Sequence, residues 1–330
     1  MNATDTPRPL TFALLRHLAD GEFHSGEVLA GMFGVTRATV CNALRNVEDY
    51  GLILYSVRGR GYRLAHPLHW LDADRVRAGL GAARDELHIE ILDHAASSNA
   101  LLLQRAAQGA ANGTVLAVEL QTAGRGRLGR TWHSGLGDTL TFSLLWRFKS
   151  GLAALSGLSL AVGVAMMRAL AELGVQGVGL KWPNDVLLND GKLAGILIEA
   201  QGDMLGPSAV VIGVGINLTV PEALRGRIDQ QVTDLASLGA PVPERNLVLA
   251  VSLKHLTAVL HEFAGQGFAP LRAEWESHHV FQHSPVKISL PDGSHILGTV
   301  LGVADDGTLR LATERGEQLF HAGEVSLRKA

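Results

Sequence analysis

The chain has 330 residues, of which 47% are hydrophobic and 18% are charged, and its formal net charge is −3. This length allows two or three domains with a sizeable core, and the apolar content excludes an intrinsically disordered protein. The charge balance argues against a protein coated in nucleic acid but leaves room for a local basic surface. The single cysteine, Cys41, excludes an internal disulfide, and the N-terminus lacks the layout of a secretory signal, so we expect a cytoplasmic protein.

Residues 1–66 predict a winged helix-turn-helix domain. Apolar residues repeat with a helical period from Leu10, Ser25 can cap a second helix, and Thr36 can cap a third helix that ends at Gly51. Two short strand patterns follow, joined by the basic, glycine-rich turn RGRG. Helix, turn, helix and ribbon in this order are typical of winged helix-turn-helix proteins.

The third helix and the wing carry the residues that we expect to contact DNA. Arginine and asparagine read guanine and adenine edges in a major groove, and arginines on a wing can bind phosphates. The predicted contact residues are Arg37, Thr39, Asn42, Arg45 and Asn46 on the helix and Arg58, Arg60 and Arg63 on the wing. The alternative is a solvated face of a small structural domain, which the balance of seven basic and six acidic residues in this segment supports.

One segment, residues 150–167, runs for 18 residues without a charge, which is the length at which a membrane helix is suspected. Its many Gly, Ala and Ser residues suit close packing inside a protein, and the pattern continues without a break into RALAELG. We therefore expect a long buried helix that lies on a sheet, and no membrane span.

Residues 67–277 predict a second domain of the α+β class, and residues 278–330 predict a third domain. In the second, strand and helix patterns indicate a mixed sheet with helices on one face. Residues 218–245 are rich in Pro, Gly and charge, which is typical of a long functional or mobile loop. From Pro285 onward, short strands separated by hairpin turns predict a small SH3-like β-barrel.

The stretch QTAGRGRLGRTWHS, residues 121–134, partly matches two phosphate-binding patterns. Its glycines spell GxGxxG, and it differs from a P-loop by Arg130, which stands at the lysine position. Both motifs require a helix to start in the loop, because the helix N-terminus holds the phosphate. Here a turn and an alternating strand pattern follow instead, so we reject both patterns.

What remains is a flexible loop with Arg125, Arg127 and Arg130 among three glycines. Glycine lets backbone amides approach a ligand, so we include Gly124 and Gly126 in the predicted site. Arginine offers forked donors to a carboxylate or phosphate. Such a loop is expected to become ordered when an anion binds. The alternative is a surface loop with chance charges.

A second constellation is KWPNDVLLNDGKLAGILIE, residues 181–199. It brings Lys181, Asn184, Asp185 and Lys192 onto adjoining strands, with Gly195 leaving room for a ligand. Each lysine alone is better explained as a solvated strand charge, but together they indicate a site for an anionic substrate. The motif GVGIN, residues 213–217, is a weaker candidate that offers the Asn217 amide.

The motifs GRGRLGR, KWPND, KLAGILIE and GVGIN, behind a winged helix and ahead of a small β-barrel, closely resemble the bacterial family of bifunctional biotin protein ligases and biotin operon repressors. The resemblance covers essentially the whole chain and includes RGRGY at the wing and GEVSLR near the end. It implies that the carboxylate of biotin attacks the α-phosphate of ATP, with Mg²⁺ neutralising the phosphates, to give biotinyl-5'-AMP. A lysine of a biotin carboxyl carrier protein then accepts the biotin. No nucleophilic enzyme residue is needed, so positioning and electrostatics supply the catalysis.

The resemblance also implies residue roles. Three residues, Arg127, Lys192 and Asp185, are expected to act in catalysis, with Asp185 binding Mg²⁺ or orienting the incoming lysine. The biotin end is expected to hold Ser97, Ser98, Asn99, Gln121 and Trp132, and the lid over the adenylate Arg125 and Arg127. The nucleotide is expected to contact Lys181, Asn184 and Asn217. Two departures stand out: ASSN replaces the family's DSTN, and EWESHH, residues 274–279, lacks its Arg-Trp pair.

The resemblance further implies regulation, in which the adenylate orders the loop, promotes a homodimer, and the dimer binds a two-half operator DNA. Three alternatives compete with this interpretation. A lipoate ligase uses the same adenylate chemistry but lacks the winged helix and this lid as a rule. A repressor that only senses a small carboxylate would not need both Arg127 and Lys192. A ligase whose winged helix no longer binds DNA agrees with the nearly neutral charge of that domain.

Overall fold

The computed structural model describes residues 8–226, 228, 230–290, 292–322 and 326–329. Two stretches on which predictions rest lie outside these described residues. They are residues 1–7, at the N-terminus that was searched for a secretory signal, and residues 323–325 of the motif GEVSLR.

The N-terminal domain has the predicted winged helix-turn-helix order. Ser25 caps the second helix by accepting a hydrogen bond from Glu27 N, and Thr36 caps the third by accepting one from Thr39 N. The third α-helix is shorter than predicted, because a 3₁₀ turn, Val47–Tyr50, leads to Gly51. The elements are α1 (Pro9–His17), α2 (Gly26–Met32), α3 (Arg37–Leu44), β1 (Leu54–Val57) and β2 (Gly61–Leu64).

This domain packs against the central domain through a shared core. Leu120 and Leu136 of the central domain belong to the same buried cluster as the leucines of α1 to α3. At the edge of this contact, Arg16 lies 4.2 Å above the Trp70 ring and pairs with Asp93 at 2.5 Å. Apolar burial therefore fixes the winged helix beside the sheet that follows it.

The central domain is built on a seven-stranded mixed sheet in the order β3-β4-β7-β11-β10-β9-β8. Only β3 and β4 pair in parallel among these strands, which makes the sheet mostly antiparallel. The elements are α4 (Ala73–Gly79), β3 (His88–Ala95), α5 (Ser98–Ala107), β4 (Thr114–Gln121), β5 (Gly124–Arg125), β6 (Thr131–Trp132), β7 (Thr139–Phe148), α6 (Leu158–Glu172), β8 (Val178–Lys181), β9 (Asp185–Leu188), β10 (Gly191–Gly202), β11 (Ser208–Asn217), α7 (Glu222–Arg225), α8 (Arg245–Gln266) and α9 (Arg272–His278).

Helices cover both faces of this sheet, so the prediction of helices on one face was wrong. Helices α6 and α8 belong to the large core with Val115 and Leu144. Helix α5 forms a separate cluster with Leu116 and Leu145, which point to the opposite face because side chains alternate along a strand. Strands β4, β7 and β11 are buried along nearly their whole length for this reason.

The uncharged segment at residues 150–167 is not one buried helix, because residues 150–157 are mostly exposed or half-buried and burial is nearly complete only from Leu158 onward. A 3₁₀ turn, Leu152–Leu155, comes first, and Gly157 with φ 81° separates it from α6. In the described part of the chain, α8 is the helix long and apolar enough to cross a membrane, yet 61% of its most apolar window is buried and it packs on α6. A core helix explains α8 without a membrane.

The C-terminal domain is a small antiparallel sheet in the order β15-β14-β13-β12-β16. It consists of β12 (Pro285–Ser289), β13 (His295–Val303), β14 (Leu309–Thr313), β15 (Gly316–Phe320) and β16 (Ser326–Lys329). Helix α9 crosses the predicted boundary at residue 277, and Val280 N donates to the Leu180 carbonyl of the central sheet. The α+β class and the three-part architecture are confirmed, while the boundaries at 66 and 277 stay predictions.

Candidate active site

One cavity of about 50 Å³ lies over the middle of the central sheet, beneath the glycine loop and beside the N-terminus of α5. Residues from both predicted motifs line it, although they are far apart in sequence. The lining residues are Ser97, Ser98, Asn99, Gln121, Arg125, Gly126, Arg127, Trp132, Thr141, Phe142, Asn184, Lys192, Gly195, Ile196, Leu197, Gly213, Val214 and Gly215.

The glycine loop starts no α-helix, which confirms the rejection of the P-loop and dinucleotide patterns. Its ends pair as the short strands β5 and β6, and a 3₁₀ turn, Arg127–Gly129, lies between them. Gly124 pairs with Trp132, and a Cβ atom at Gly124 would lie only 2.4 Å from the Trp132 carbonyl oxygen. The loop therefore forms a ribbon that folds across the sheet.

The Trp132 side chain lies against glycines of two neighbouring strands. A Cβ atom at Gly215 would approach its indole ring to 2.4 Å, and one at Gly195 would approach it to 3.2 Å. The indole Nε1 is buried and has no hydrogen-bond partner among the described residues. A ligand acceptor beside this N–H group would remove the cost of leaving it unpaired, about 1–3 kcal/mol.

The predicted biotin end is a buried network at the start of α5. Ser97 caps the helix by accepting from Ala100 N, and the Ser98 amide and hydroxyl both donate to Gln121 Oε1, at 2.8 and 3.2 Å. Asn99 is 3% exposed and donates to the Leu197 carbonyl oxygen at 3.2 Å. Ser98 and Gln121 thus orient each other, whereas Asn99 is oriented by the backbone of β10.

Lys192 and Asp185 form an ion pair on the β9–β10 hairpin. Lys192 Nζ lies 2.6 Å from Asp185 Oδ1, and both side chains are 15% exposed. The two-residue turn Asn189-Asp190 has positive φ at both positions, as a tight hairpin requires. The ammonium group also lies 5.8 Å from the Trp132 ring centroid, so a cation is held at the wall of the cavity.

Arg127 joins the glycine loop to two other parts of the molecule. Its Nη1 atom donates to Asn184 Oδ1 at 3.1 Å, and its Nη2 atom donates to the Ala322 carbonyl oxygen of the C-terminal domain. Burial lowers the pKa of Arg127, and the nearby Asp185 carboxylate opposes that shift. A desolvated guanidinium gains more from an anionic ligand than an exposed one does.

Arg125 lines the cavity from the other end of the loop. Its Nη2 atom donates to both carboxylate oxygens of Glu199 on β10, at 2.8 and 2.7 Å. The two arginines therefore have different partners: Arg125 bonds to a strand of the central sheet, and Arg127 reaches the C-terminal domain.

Five predicted site residues do not line the cavity: Gly124, Arg130, Lys181, Asp185 and Asn217. Asp185 reaches the site through Lys192, and Lys181 pairs with Asp185 in the strand register. Asn217 Nδ2 donates to the carbonyl oxygens of Lys192 and Thr233, both at 3.1 Å, so the amide fixes the backbone that carries Lys192. Contacts of these residues with a nucleotide stay predictions.

Several cavity residues were not predicted from the sequence. Phe142 and Thr141 lie on β7, and Ser143 of the same strand donates to Asn99 Oδ1 at 2.6 Å. Glu199, the last residue of the motif KLAGILIE, was not predicted as a site residue. Gly213, of the weaker candidate motif GVGIN, leaves room for the predicted Asn99, because a Cβ atom at Gly213 would lie 2.2 Å from Asn99 Oδ1.

A metal ion has few protein ligands at this cavity. Within the described ranges there is no group of three or more His, Cys, Asp or Glu side chains that could hold one. Asp185 is the predicted Mg²⁺ ligand, and its Oδ1 atom is engaged by Lys192. Such a site fits an ion that is carried mainly by phosphate oxygens and water, as Mg²⁺ usually is.

The predicted DNA surface is exposed on α3 and the wing, although Arg45 and Asn46, predicted on the helix, lie in the turn just after it because α3 ends at Leu44. Arg45 donates to Asn42 Oδ1 at 2.5 Å, and Arg37 lies 3.6 Å from Glu27 of α2. Arg60 stacks on Phe23 with its guanidinium carbon 4.0 Å from the ring centroid. Thr39 is half-buried and hydrogen-bonded to the Thr36 cap, whereas Arg37, Asn42, Arg45, Arg58 and Arg60 are exposed.

Comparisons with known proteins agree with this architecture. The model of the biotin/lipoate A/B protein ligase family matches residues 95–217, a helix-turn-helix domain model matches residues 11–63, and the C-terminal domain model of biotin protein ligases matches residues 284–328. These three ranges contain the cavity, the exposed α3 surface and the C-terminal sheet, respectively.

Relatives match over nearly the full length. The bifunctional ligase/repressor BirA of Salmonella typhimurium is 38% identical over 326 residues, which cover 99% of each chain. The biotin–[acetyl-CoA-carboxylase] ligase of Mycobacterium tuberculosis is 35% identical over 270 residues, 77% of this chain and 98% of that protein. The structure of a biotin protein ligase from Aquifex aeolicus in complex with biotin and ATP aligns with a TM-score of 0.63 at 29% identity, covering 74% of this chain and 99% of that chain.

Proposed function

This chain belongs to the family of bifunctional biotin protein ligases and repressors, and from that premise we propose that it activates biotin with ATP and transfers it to a lysine of a biotin carboxyl carrier protein. The observation that carries this proposal is the meeting of three cations from two distant motifs, Arg125, Arg127 and Lys192, in one cavity. The polar residues predicted for the biotin end line the same cavity.

In the first step, a carboxylate oxygen of biotin attacks the α-phosphorus of ATP, and the bond to the β-phosphate oxygen breaks. The products are biotinyl-5'-AMP and pyrophosphate. Lys192 is the cation best situated to hold the biotin carboxylate and the α-phosphate together, because the Asp185 pair and the Asn217 contact fix both its side chain and its backbone. Both reactants are anionic, so a fixed cation between them lowers the repulsion in the transition state.

The glycine loop acts as the lid of this site in our proposal. The cavity of about 50 Å³ lies well below the 300–1,000 Å³ typical of pockets for small molecules, so the ligand requires the loop and Trp132 to move. Closure over the adenylate then excludes water from the mixed anhydride, with Arg127 against the phosphate.

Magnesium would be carried on the ATP phosphates with Asp185 as its protein ligand. When bound, the ion neutralises phosphate charge and assists departure of pyrophosphate. Asp185, which pairs with Lys192 through its Oδ1 atom, would be the protein residue that holds the ion, and Lys192 would stay with the reacting carboxylate.

In the second step, the ε-amine of the acceptor lysine attacks the acyl carbon of biotinyl-5'-AMP. The bond between the acyl carbon and the phosphate oxygen breaks, AMP leaves, and an amide forms. The amine loses one proton to solvent as the amide forms, and no enzyme atom bonds to the acyl group in either step. We assign Asp185 to orient the incoming amine.

The experiment that tests the activation step is biotin-dependent exchange of pyrophosphate into ATP, with lipoate in a parallel reaction. Exchange with biotin and none with lipoate supports the proposal. Exchange with lipoate alone would identify a lipoate ligase, and exchange with neither would favour a repressor that only senses a carboxylate.

We further propose that α3 and the wing bind operator DNA as parts of a homodimer. The exposed arginine and asparagine side chains of α3 have the chemistry that reads base edges in a major groove, and a two-fold dimer presents two such helices to two half-sites. The chain's single cysteine, Cys41, can form no internal disulfide, which fits the reducing cytoplasm, and the cytoplasm is the compartment we propose. Sedimentation velocity with and without biotin and ATP tests the dimer: a mass that stays monomeric at micromolar protein would exclude it.

A further inference from the structure

Glu199 connects the lid to the biotin end of the cavity. It lies on β10, with its side chain 26% exposed, and both its carboxylate oxygens accept from Arg125 Nη2. Its Oε2 atom also accepts from Asn99 Nδ2 at 3.0 Å. One carboxylate therefore holds a lid residue, a residue of the first turn of α5 and a central strand together.

Beyond Asn99, the contacts continue into the sheet. Ser143 Oγ lies 2.6 Å from Asn99 Oδ1 and 2.7 Å from Ser98 Oγ, and Ser98 Oγ donates to Gln121 Oε1. Asn99 is 3% exposed and Ser143 is fully buried, so each lost partner leaves a polar group unpaired in a dry environment. The position of Glu199 is thus coupled to the orientation of the residues that we assign to biotin.

The contact uses only part of Arg125. Both hydrogen bonds leave from Nη2, which leaves the Nη1 and Nε donors of the guanidinium for an anion. A carboxylate behind an arginine orients its planar fork without occupying it. Arg127 has no such carboxylate partner in its hydrogen bonds, because its partners are the Asn184 amide oxygen and a backbone carbonyl.

We propose that Glu199 is a positioning residue of the ligase, which sets the closed geometry of the lid through Arg125 and reports the state of the biotin end through Asn99. This inference rests on the proposed function. Glu199 does not touch the reacting atoms; it determines where the Arg125 fork lies when the adenylate is held.

The test compares Glu199→Gln and Glu199→Asp with the wild type in two measurements, the dissociation rate of labelled biotinyl-5'-AMP and the KM for biotin. Gln keeps an acceptor for Asn99 but loses the charge that orients Arg125, so we expect adenylate release to rise about fivefold with the KM for biotin little changed. Asp restores the charge and should recover part of the retention. Glu317→Gln, which removes a comparable exposed arginine pair in the C-terminal sheet, is the control and should match the wild type.

A double-mutant cycle separates positioning from a structural role. In an Arg125→Ala background, Glu199→Gln should add no further increase in adenylate release, because its effect passes through Arg125. Independent, additive increases would overturn the proposal, as would adenylate retention by Glu199→Gln equal to the wild type. If Glu199→Gln lowers the melting temperature, the double-mutant cycle is repeated with Glu199→Asp in its place. A wild type that forms no adenylate would instead contradict the proposed function itself.

Discussion

The cavity and the α3 surface hold their key side chains in opposite ways. In the cavity, Lys192 and Arg127 are largely buried and bonded to partners on other strands or another domain. At the α3 surface, Arg37 on the helix and Arg45 just after it are exposed and contact neighbours within the same domain. The comparison teaches that the cavity depends on contacts between distant elements, whereas the α3 surface depends on contacts within one domain, so substitutions should cost more in the cavity than on α3.

Replacing Lys192 should have the largest effect. Lys192→Ala removes the cation between the two anionic reactants and leaves Asp185 unpaired, so we expect adenylate formation to slow about 100-fold or more. Pyrophosphate release at saturating biotin and ATP measures this. The control is Lys149→Ala, an exposed lysine at the end of β7, and a Lys192 variant no slower than that control would contradict the assignment.

Arg127→Ala should weaken retention of the adenylate more than its formation. The variant loses the contacts to Asn184 and the C-terminal domain, and we expect adenylate to leave about 10 to 100 times faster. A chase of labelled adenylate with unlabelled biotin measures the rate. Arg84→Ala, an exposed arginine far from the loop in sequence, serves as control. Retention unchanged from wild type would mean that the loop is not the lid.

Arg45→Ala should separate the two regions. If Arg45 reads a base edge, the variant loses about tenfold in operator affinity while its ligation rate stays at the wild-type value. Fluorescence anisotropy with labelled operator DNA measures the affinity. Unchanged DNA binding would favour the alternative in which α3 is a solvated face.

The stability of the fold should depend on pH through Asp138, which lies where the winged-helix domain meets the central domain. Burial raises the pKa of Asp138 to about 7, against the attraction of Arg245, and its Oδ2 atom, near Gly51 and Gly135, has no hydrogen-bond partner among the described residues. The folded state therefore holds a proton that the unfolded chain releases near pH 3.8, so this group lowers stability as the pH rises from about 4 to 7.

Asp138→Asn removes this dependence. The melting temperature of Asp138→Asn minus that of the wild type should increase by a few degrees from pH 5 to pH 8. Scanning calorimetry measures both temperatures. His279 makes stability rise with pH, because burial lowers its pKa to about 4. Its effect is the same in the wild type and in Asp138→Asn, so the difference between their melting temperatures isolates Asp138. A difference that does not vary with pH would show that Asp138 is not protonated in the fold.

Arg58→Ala should have the smallest effect. A wing arginine that contacts phosphate adds affinity without sequence preference, so its loss should lower binding to all DNA by a similar factor and reduce the salt slope by about 1. Titrations at several salt concentrations with operator and unrelated DNA measure both. A loss confined to the operator would assign Arg58 to base recognition.

The sequence predicted the parts of the molecule that local patterns determine. Caps such as Ser25 and Thr36 and the hairpin at Asn189-Asp190 depend on neighbouring residues, and the structure has them where they were expected. Most of the motif residues also line one cavity, whereas Gly124, Arg130, Lys181, Asp185 and Asn217 do not, and the roles of all of them stay predictions.

The rest depends on contacts between distant residues. Glu199 meets Arg125 across 74 positions and Asn99 across 100, and neither pairing leaves a mark on the local pattern. The placement of α5 on the second face of the sheet was missed although a signal exists: TVLAVEL and AVVIGVGIN are nearly unbroken apolar runs, which indicate strands buried on both faces. Similarly, the start of α6 is determined by Gly157, whose positive φ is invisible in a run of small residues.

The central claim is tested most directly by the mass of a biotin carboxyl carrier domain after incubation with the protein, ATP, Mg²⁺ and biotin, with lipoate in a parallel tube. We predict a single mass gain equal to one biotin joined by an amide, and no gain with lipoate. An unchanged carrier mass in the biotin tube, with the protein folded and ATP present, would contradict the account.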